Sequence, residues 1–144
     1  MFTGDTFGLS YREFDRDGRA FVVPTSSPVH FDPAAAHRSV DLIAGLAPDA
    51  VYVTHYGEIR EIPRLAADLH RLLDAYVAMA RAVPGTGASR HRALHAGMTR
   101  IVLDEAARQA WPLPDTGVLE VLGGDIELNA QGLGVWLDSG GGRR

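Results

Sequence analysis

Two side chains of this 144-residue chain stand where metal chemistry would need them. Asp5 follows the short β-prone run "MFTG" and His55 follows "AVYVT", with a glycine within three residues after each, at Gly8 and Gly57. If both runs are strands of one parallel sheet, the two side chains leave it at the same edge, where loops are free to shape a pocket. A carboxylate and an imidazole brought together there suit a divalent ion such as zinc, which takes both at about 2.0 to 2.2 Å. Each also has a plainer use, because Asp after Gly is a common turn residue and a histidine after a strand often holds a loop by a hydrogen bond.

Other chemistry-bearing residues lie around this pair. His30 in "SSPVHFDP" sits between the two in sequence, where it suits either the lining of a substrate pocket or an exposed position beside a helix cap. Tyr11 and Tyr56 are near the two candidate ligands, and the Tyr56 phenol suits donation to a substrate oxygen as well as packing under its loop. His91 and His95 in "HRALH" are four apart and share one helix face, the spacing of a two-histidine metal clip. They lack the glutamate of the His-Glu-x-x-His signature and stand among arginines, so solvent exposure is expected, as it is for His37 and His70 on their helices.

Composition narrows the options further. The chain has no cysteine, which removes disulfides, thiolate catalysis and cysteine-ligated zinc together. It has no lysine either, all fourteen basic residues being arginine, so Schiff-base chemistry and the phosphate-binding loop lysine are excluded. A net charge of −4, with arginine scattered among Asp and Glu, gives no basic stripe and argues against nucleic acid as a partner. The run Phe2 to Leu9 is broken by Asp5 and two glycines, so it is neither a signal core nor a membrane span. The expected location is the cytoplasm, with no membrane partner.

The elements that would position these residues can be read along the chain. Met1 to Thr6 suits a short buried strand, Asp15 to Gly18 has turn chemistry, and Ala20 to Val23 is a small β run stopped by Pro24. A helix is expected from Pro33 to about Leu46, with Asp32 as N-cap and Val40, Ile43 and Ala47 on one face. Ala50 to Thr54 is the second strand and delivers His55 at its tip. From Pro63 to Val83, apolar residues recur at three and four, marking a long amphipathic helix. A further helix is expected from Ser89 to Ala110. Beyond Pro114 a short helical piece, a break at Gly123-Gly124, and a last helix capped by Asp125 are expected, the last with Ile126, Ala130, Leu133 and Leu137 on one stripe and with Gly132 and Gly134 costing about 1 kcal/mol each in its interior. The final "SGGGRR" reads as a disordered tail.

The words "FTGDTFG" and "VYVTHYG", separated by a strand, a proline-containing loop and a helix, resemble the C-terminal half of the metallo-β-lactamase-fold hydrolases. The resemblance covers about residues 1 to 83. It implies an α/β (α+β) fold: the C-terminal half of an αββα sandwich over 1–83, then a helical extension over 84–138 packed on it and a disordered tail over 139–144. It implies that Asp5 bridges two metal ions, zinc in the complete site, and that His55 completes the second metal position. Two such ions activate a shared water and stabilise charge on the attacked oxygen. The activity implied is hydrolysis of an ester, thioester, lactone or phosphoester in a small-molecule substrate.

The family's His-x-His-x-Asp-His motif, which belongs ahead of the Gly-Asp strand, does not occur in these 144 residues. The expectation is therefore a truncated half-protein, inactive by itself, whose inner sheet face is left exposed to form a homodimer or to receive a separate N-terminal half. The alternative is a non-catalytic binding or regulatory module acting through its C-terminal helices or such a partner half.

Overall fold

Four helices and one small sheet account for the regular structure of the computed structural model, which describes residues 1–55 and 57–141. Strand β1 is Phe2–Gly4, β2 is Val51–Val53 and β3 is Gly57–Ile59. The helices are α1, Pro33–Gly45; α2, Ile62–Ala82; α3, Gly87–Gln109; and α4, Asp115–Trp136. The chain gathers into two compact units, one of residues 1–25 and 33–73, the other of residues 26–32 and the chain from Asp74 onward. The boundary between Leu73 and Asp74 falls inside α2.

In the first unit β2 is central, parallel to β1 and antiparallel to β3. The β1 register, Phe2 to Tyr52 and Gly4 to Val53, slips by one residue at its end, and Gly4 turns there with a φ of 57°. Alternation along the strands sets the two faces. Val51, Val53 and Ile59 point inward and share a core with Val40 and Ile43 of α1, with Ile62, Leu65 and Leu69 of α2, and with Phe7 and Val22. On the other side Phe2 is 87% exposed and stacks on Tyr52, ring centroids 5.0 Å apart. Gly8 is obligatory: its φ is 82°, and a Cβ there would lie 2.7 Å from the Val23 carbonyl and 2.9 Å from Leu69 Cδ2. Leu9 and Val23 can then exchange two backbone hydrogen bonds, of 2.8 and 3.0 Å.

In the second unit α3 packs along α4. Leu94, Met98, Val102 and Ala106 form the buried stripe of α3, and Val118, Leu122, Ile126, Ala130 and Leu133 that of α4. The 26–32 segment lies on α4 where Gly132 leaves room, since a Cβ at that position would collide with the Ser26 carbonyl. Asn129, buried, accepts a hydrogen bond from the Ser26 amide through Oδ1 at 2.5 Å, and the Ser26 hydroxyl donates to the Asn129 carbonyl at 3.1 Å.

This architecture corrects the sandwich expectation. Helix makes up 64% of the described residues and the sheet has three strands of three residues, so no half of an αββα sandwich is built; only the broad α+β description holds. The physical reasons are local. Ala20 to Val23 contributes one isolated bridge, Leu9 to Val23, instead of a strand, because Pro24 follows with no amide hydrogen to donate. Asp5–Phe7 coils into a 3-10 turn, which ends β1 after Gly4.

The break expected at Gly123-Gly124 is absent as well. The α4 stripe runs unbroken from Val118 to Trp136, and its burial outweighs the propensity cost of two glycines. Beyond α4, Leu137–Gly141 continues as a π-type turn in place of the start of a disordered tail, and residues 142–144 of that expectation lie outside the described residues.

Candidate metal centre

The parallel β1–β2 pair is what brings the two sequence candidates together. Each strand ends its ladder within two residues of the ligand it carries, Gly4 before Asp5 and Val53 before His55. The Gly4 turn leads into the 3-10 turn of Asp5–Phe7, which the Gly8 amide closes by donating to the Asp5 carbonyl at 3.0 Å. His55 Nε2 stands 3.8 Å from Asp5 Oδ1, and the two side chains are 47% and 50% exposed. Tyr11 lies alongside, its ring centroid 6.5 Å from that of His55 with the planes 29° apart.

The fit to a metal ion can be tested on this geometry. Two donors on one tetrahedral zinc ion, each about 2.0 Å away, stand about 3.3 Å from one another, so a half-ångström approach of two exposed side chains would meet the requirement. The pair supplies one edge of a coordination shell. Among the described residues no group of three His, Cys, Asp or Glu side chains is arranged to hold a metal ion. The donors therefore match zinc in chemistry and spacing and fall short of it in number.

The remaining sequence candidates are placed differently. His30 is exposed and belongs to the 26–32 segment of the second unit. Tyr56 lies outside the described residues. His37 and His70 are half-buried rather than at the open surface: their rings stack at 4.9 Å with Nδ1 atoms 2.6 Å apart, and His70 Nε2 is 3.0 Å from Asp41 Oδ1. His91 and His95 are partly exposed on α3 and face Glu127 of α4.

Sequence reasoning missed a polar cluster on β3. The Tyr52 hydroxyl donates to Glu58 Oε2 at 2.6 Å, Arg60 Nε donates to Oε1 at 2.7 Å, and Arg12 donates to the Glu58 carbonyl at 2.6 Å. The hydrogen bond from Tyr52, followed by that from Arg60, holds the Glu58 carboxyl below its usual range, and the same bond to Glu58 pushes the Tyr52 phenol up. These residues border a cleft of about 460 Å³ lined by Arg12, Arg19, Glu58, Arg60 and Glu61. The alternation Tyr52, Glu58, Arg60 around a glycine turn carried the signal, but a three-residue strand is too short to show a period.

No family model matches the chain, and no curated protein or solved structure matches it significantly. Among the described residues, no helix is long and apolar enough to cross a membrane.

Proposed function

We propose that Asp5 and His55 are the carboxylate and imidazole of a divalent-metal hydrolytic centre acting on small esters, thioesters, lactones or phosphoesters, with the remaining ligands supplied by a polypeptide segment outside this sequence. The observation that supports it is the 3.8 Å approach of His55 Nε2 to Asp5 Oδ1, achieved by residues fifty apart at matched ends of two parallel strands. The ligand roles rest on the resemblance of "FTGDTFG" and "VYVTHYG" to metallo-β-lactamase-fold hydrolases. A bound zinc would supply Lewis acidity and an activated water. The protein's own part is to hold the Asp5 carboxylate through its 3-10 turn and to set His55 beside it, with Tyr11 stacked on the outer side of the imidazole. Cytoplasmic residence belongs to the same reading.

The test is zinc titration of the full chain followed by NMR of the histidine side chains. Weak zinc binding that shifts the His55 ring signals, and that Asp5→Ala removes from His55, supports the pair as ligands. His55 signals unmoved at millimolar zinc would overturn it. The chain by itself is expected to turn over no ester or phosphoester substrate, and turnover abolished by Asp5→Ala would refute the need for outside ligands.

A second reading, a non-catalytic module that docks a partner, is favoured by the outer sheet face, where exposed Phe2 stacks on Tyr52. Phe2→Ser would weaken such docking and leave zinc binding at His55 unchanged.

A further inference from the structure

The second unit holds a cleft of about 400 Å³, a volume in the range of small-molecule sites. Its walls come from α3, α4 and the 26–32 segment: Leu94, Val135 and Pro28 are apolar, and Arg90, His91 and Gln131 are polar. Arg90 is the unusual member. It is only 9% exposed, whereas an arginine ordinarily carries its guanidinium out to water.

The hydrogen bonds of this guanidinium leave part of its capacity unused. Nη2 donates to Asp138 Oδ1 at 2.5 Å, while the Gly85 and Gly134 carbonyls accept from Nη1 and Nη2 at 3.4 Å, longer than a well-formed bond. Asp138 thus holds the fork by one oxygen, and Nε has no acceptor among the described residues. A carboxylate that meets arginine fork to fork takes two nitrogens at once. Asp138 is 65% exposed on the Leu137–Gly141 turn that follows α4, so it returns to water at little cost when another carboxylate takes its place. The cleft beside Glu58 offers no such anchor, because Arg12 and Arg60 are 49% and 64% exposed and solvent screens their charge.

We propose that this cleft binds a small organic monocarboxylate, whose two oxygens accept from Arg90 Nε and Nη2 in place of Asp138 and whose hydrocarbon body rests on Leu94, Val135 and Pro28. The charge that anchors it is already withdrawn from water, which makes the pairing stronger than one at an open surface. The apolar wall selects acids with a hydrocarbon body over inorganic anions, and the single guanidinium selects one carboxylate over two. Asp138 is a built-in competitor that occupies the anchor when no acid is bound. The cleft lies within the second unit, and the inference does not depend on the reading of Asp5 and His55.

The experiment titrates the full chain with phenylacetate and isovalerate, and with phenylacetamide and inorganic phosphate as counterparts that lack the charge or the hydrocarbon body. NMR of side-chain methyl groups and arginine Nε–H signals reads it. Both acids should shift the Leu94 and Val135 methyls together with the Arg90 Nε–H signal, and phenylacetamide should bind at least about tenfold more weakly than phenylacetate, the factor that a hydrogen-bonded charge contributes. Asp138→Asn should tighten phenylacetate binding about two- to fivefold by removing the competitor. Val135→Asp, at a position 38% exposed, should weaken it about tenfold or more by placing a like charge in the wall. The wild-type shifts and the two variants keep the test independent of whether Arg90 can be replaced without unfolding the chain. Equal affinity for phenylacetate and phenylacetamide, phosphate moving the Arg90 signal as readily as the acids do, unchanged or weaker binding in D138N, or undiminished binding in V135D would each overturn the proposal. So would the absence of these shifts at millimolar acid.

Discussion

Truncating Asn129 to alanine should cost the second unit about 2 to 3 kcal/mol, and the structure says where the loss arises. Asn129 Oδ1 accepts from the Ser26 amide at 2.5 Å and from the Ser26 hydroxyl at 3.1 Å, and both residues are buried. After truncation the hydroxyl keeps the Asn129 carbonyl, but the amide loses this acceptor in a place water does not reach. An orphaned buried donor costs about 1 to 3 kcal/mol, and the space vacated by the side chain adds to it. Ser26→Ala leaves no amide unpaired, so it should cost about 1 kcal/mol or less. Urea unfolding followed by tryptophan fluorescence isolates the effect, because Trp111 and Trp136 both lie in the second unit and are the only tryptophans of the chain. At about 3 °C per kcal/mol for a chain of this length, Asn129→Ala should melt some 6 to 9 °C below wild type. A loss under about 0.5 kcal/mol, or equal losses for Asn129→Ala and Ser26→Ala, would refute the assignment of the cost to the amide.

Gly123→Ala and Gly124→Ala should each stabilise the chain by about 0.5 to 1 kcal/mol, since both lie inside α4 and a Cβ at either meets nothing within 4 Å; a lower melting temperature for either would mean that α4 is interrupted there. Gly8→Ala should destabilise by about 1 to 3 kcal/mol, because the new Cβ must push aside the Val23 carbonyl and sit at a positive φ; far-UV circular dichroism through a thermal melt reads it. Glu58→Gln should bring the Tyr52 phenol down toward its ordinary value, since the hydrogen bond to Glu58 is the largest cause of its rise; a spectrophotometric titration near pH 10 in wild type and E58Q, with Tyr52→Phe to identify the signal, would show no difference if Tyr52 and Glu58 were apart.

The helices were legible wherever a stripe of apolar residues repeated over several turns. Leu65, Leu69, Leu72 and Leu73 mark α2, and Leu94, Met98 and Val102 mark α3, at spacings that survive any loop geometry around them. Sequence reasoning went wrong at Gly123-Gly124, where it read the glycine pair as a break without the burial of Leu122 and Ile126 on either side. It also built too much sheet. Runs of three or four β-prone residues such as Ala20 to Val23 satisfy propensity, but a strand needs a neighbour with free donors and acceptors, and Pro24 and the glycine turns at Gly4 and Gly8 end the pairing within a few residues.

The Asp5–His55 pair and the histidine contact between α3 and α4 differ in how the chain could advertise them. Asp5 and His55 were readable because each is the first chemistry-bearing residue after a strand, and parallel pairing of β1 and β2 places both at one edge whatever else the fold does. Of the contact between α3 and α4 only the His91–His95 half could be read, as a spacing of four on one helix. Their partner Glu127 is thirty-two residues beyond His95, on a helix expected to break just before it, at Gly123-Gly124. With α4 continuous, the turn that puts Ile126 into the core puts Glu127 at its margin, opposite the histidines, and Gln131 one turn later against the carboxylate.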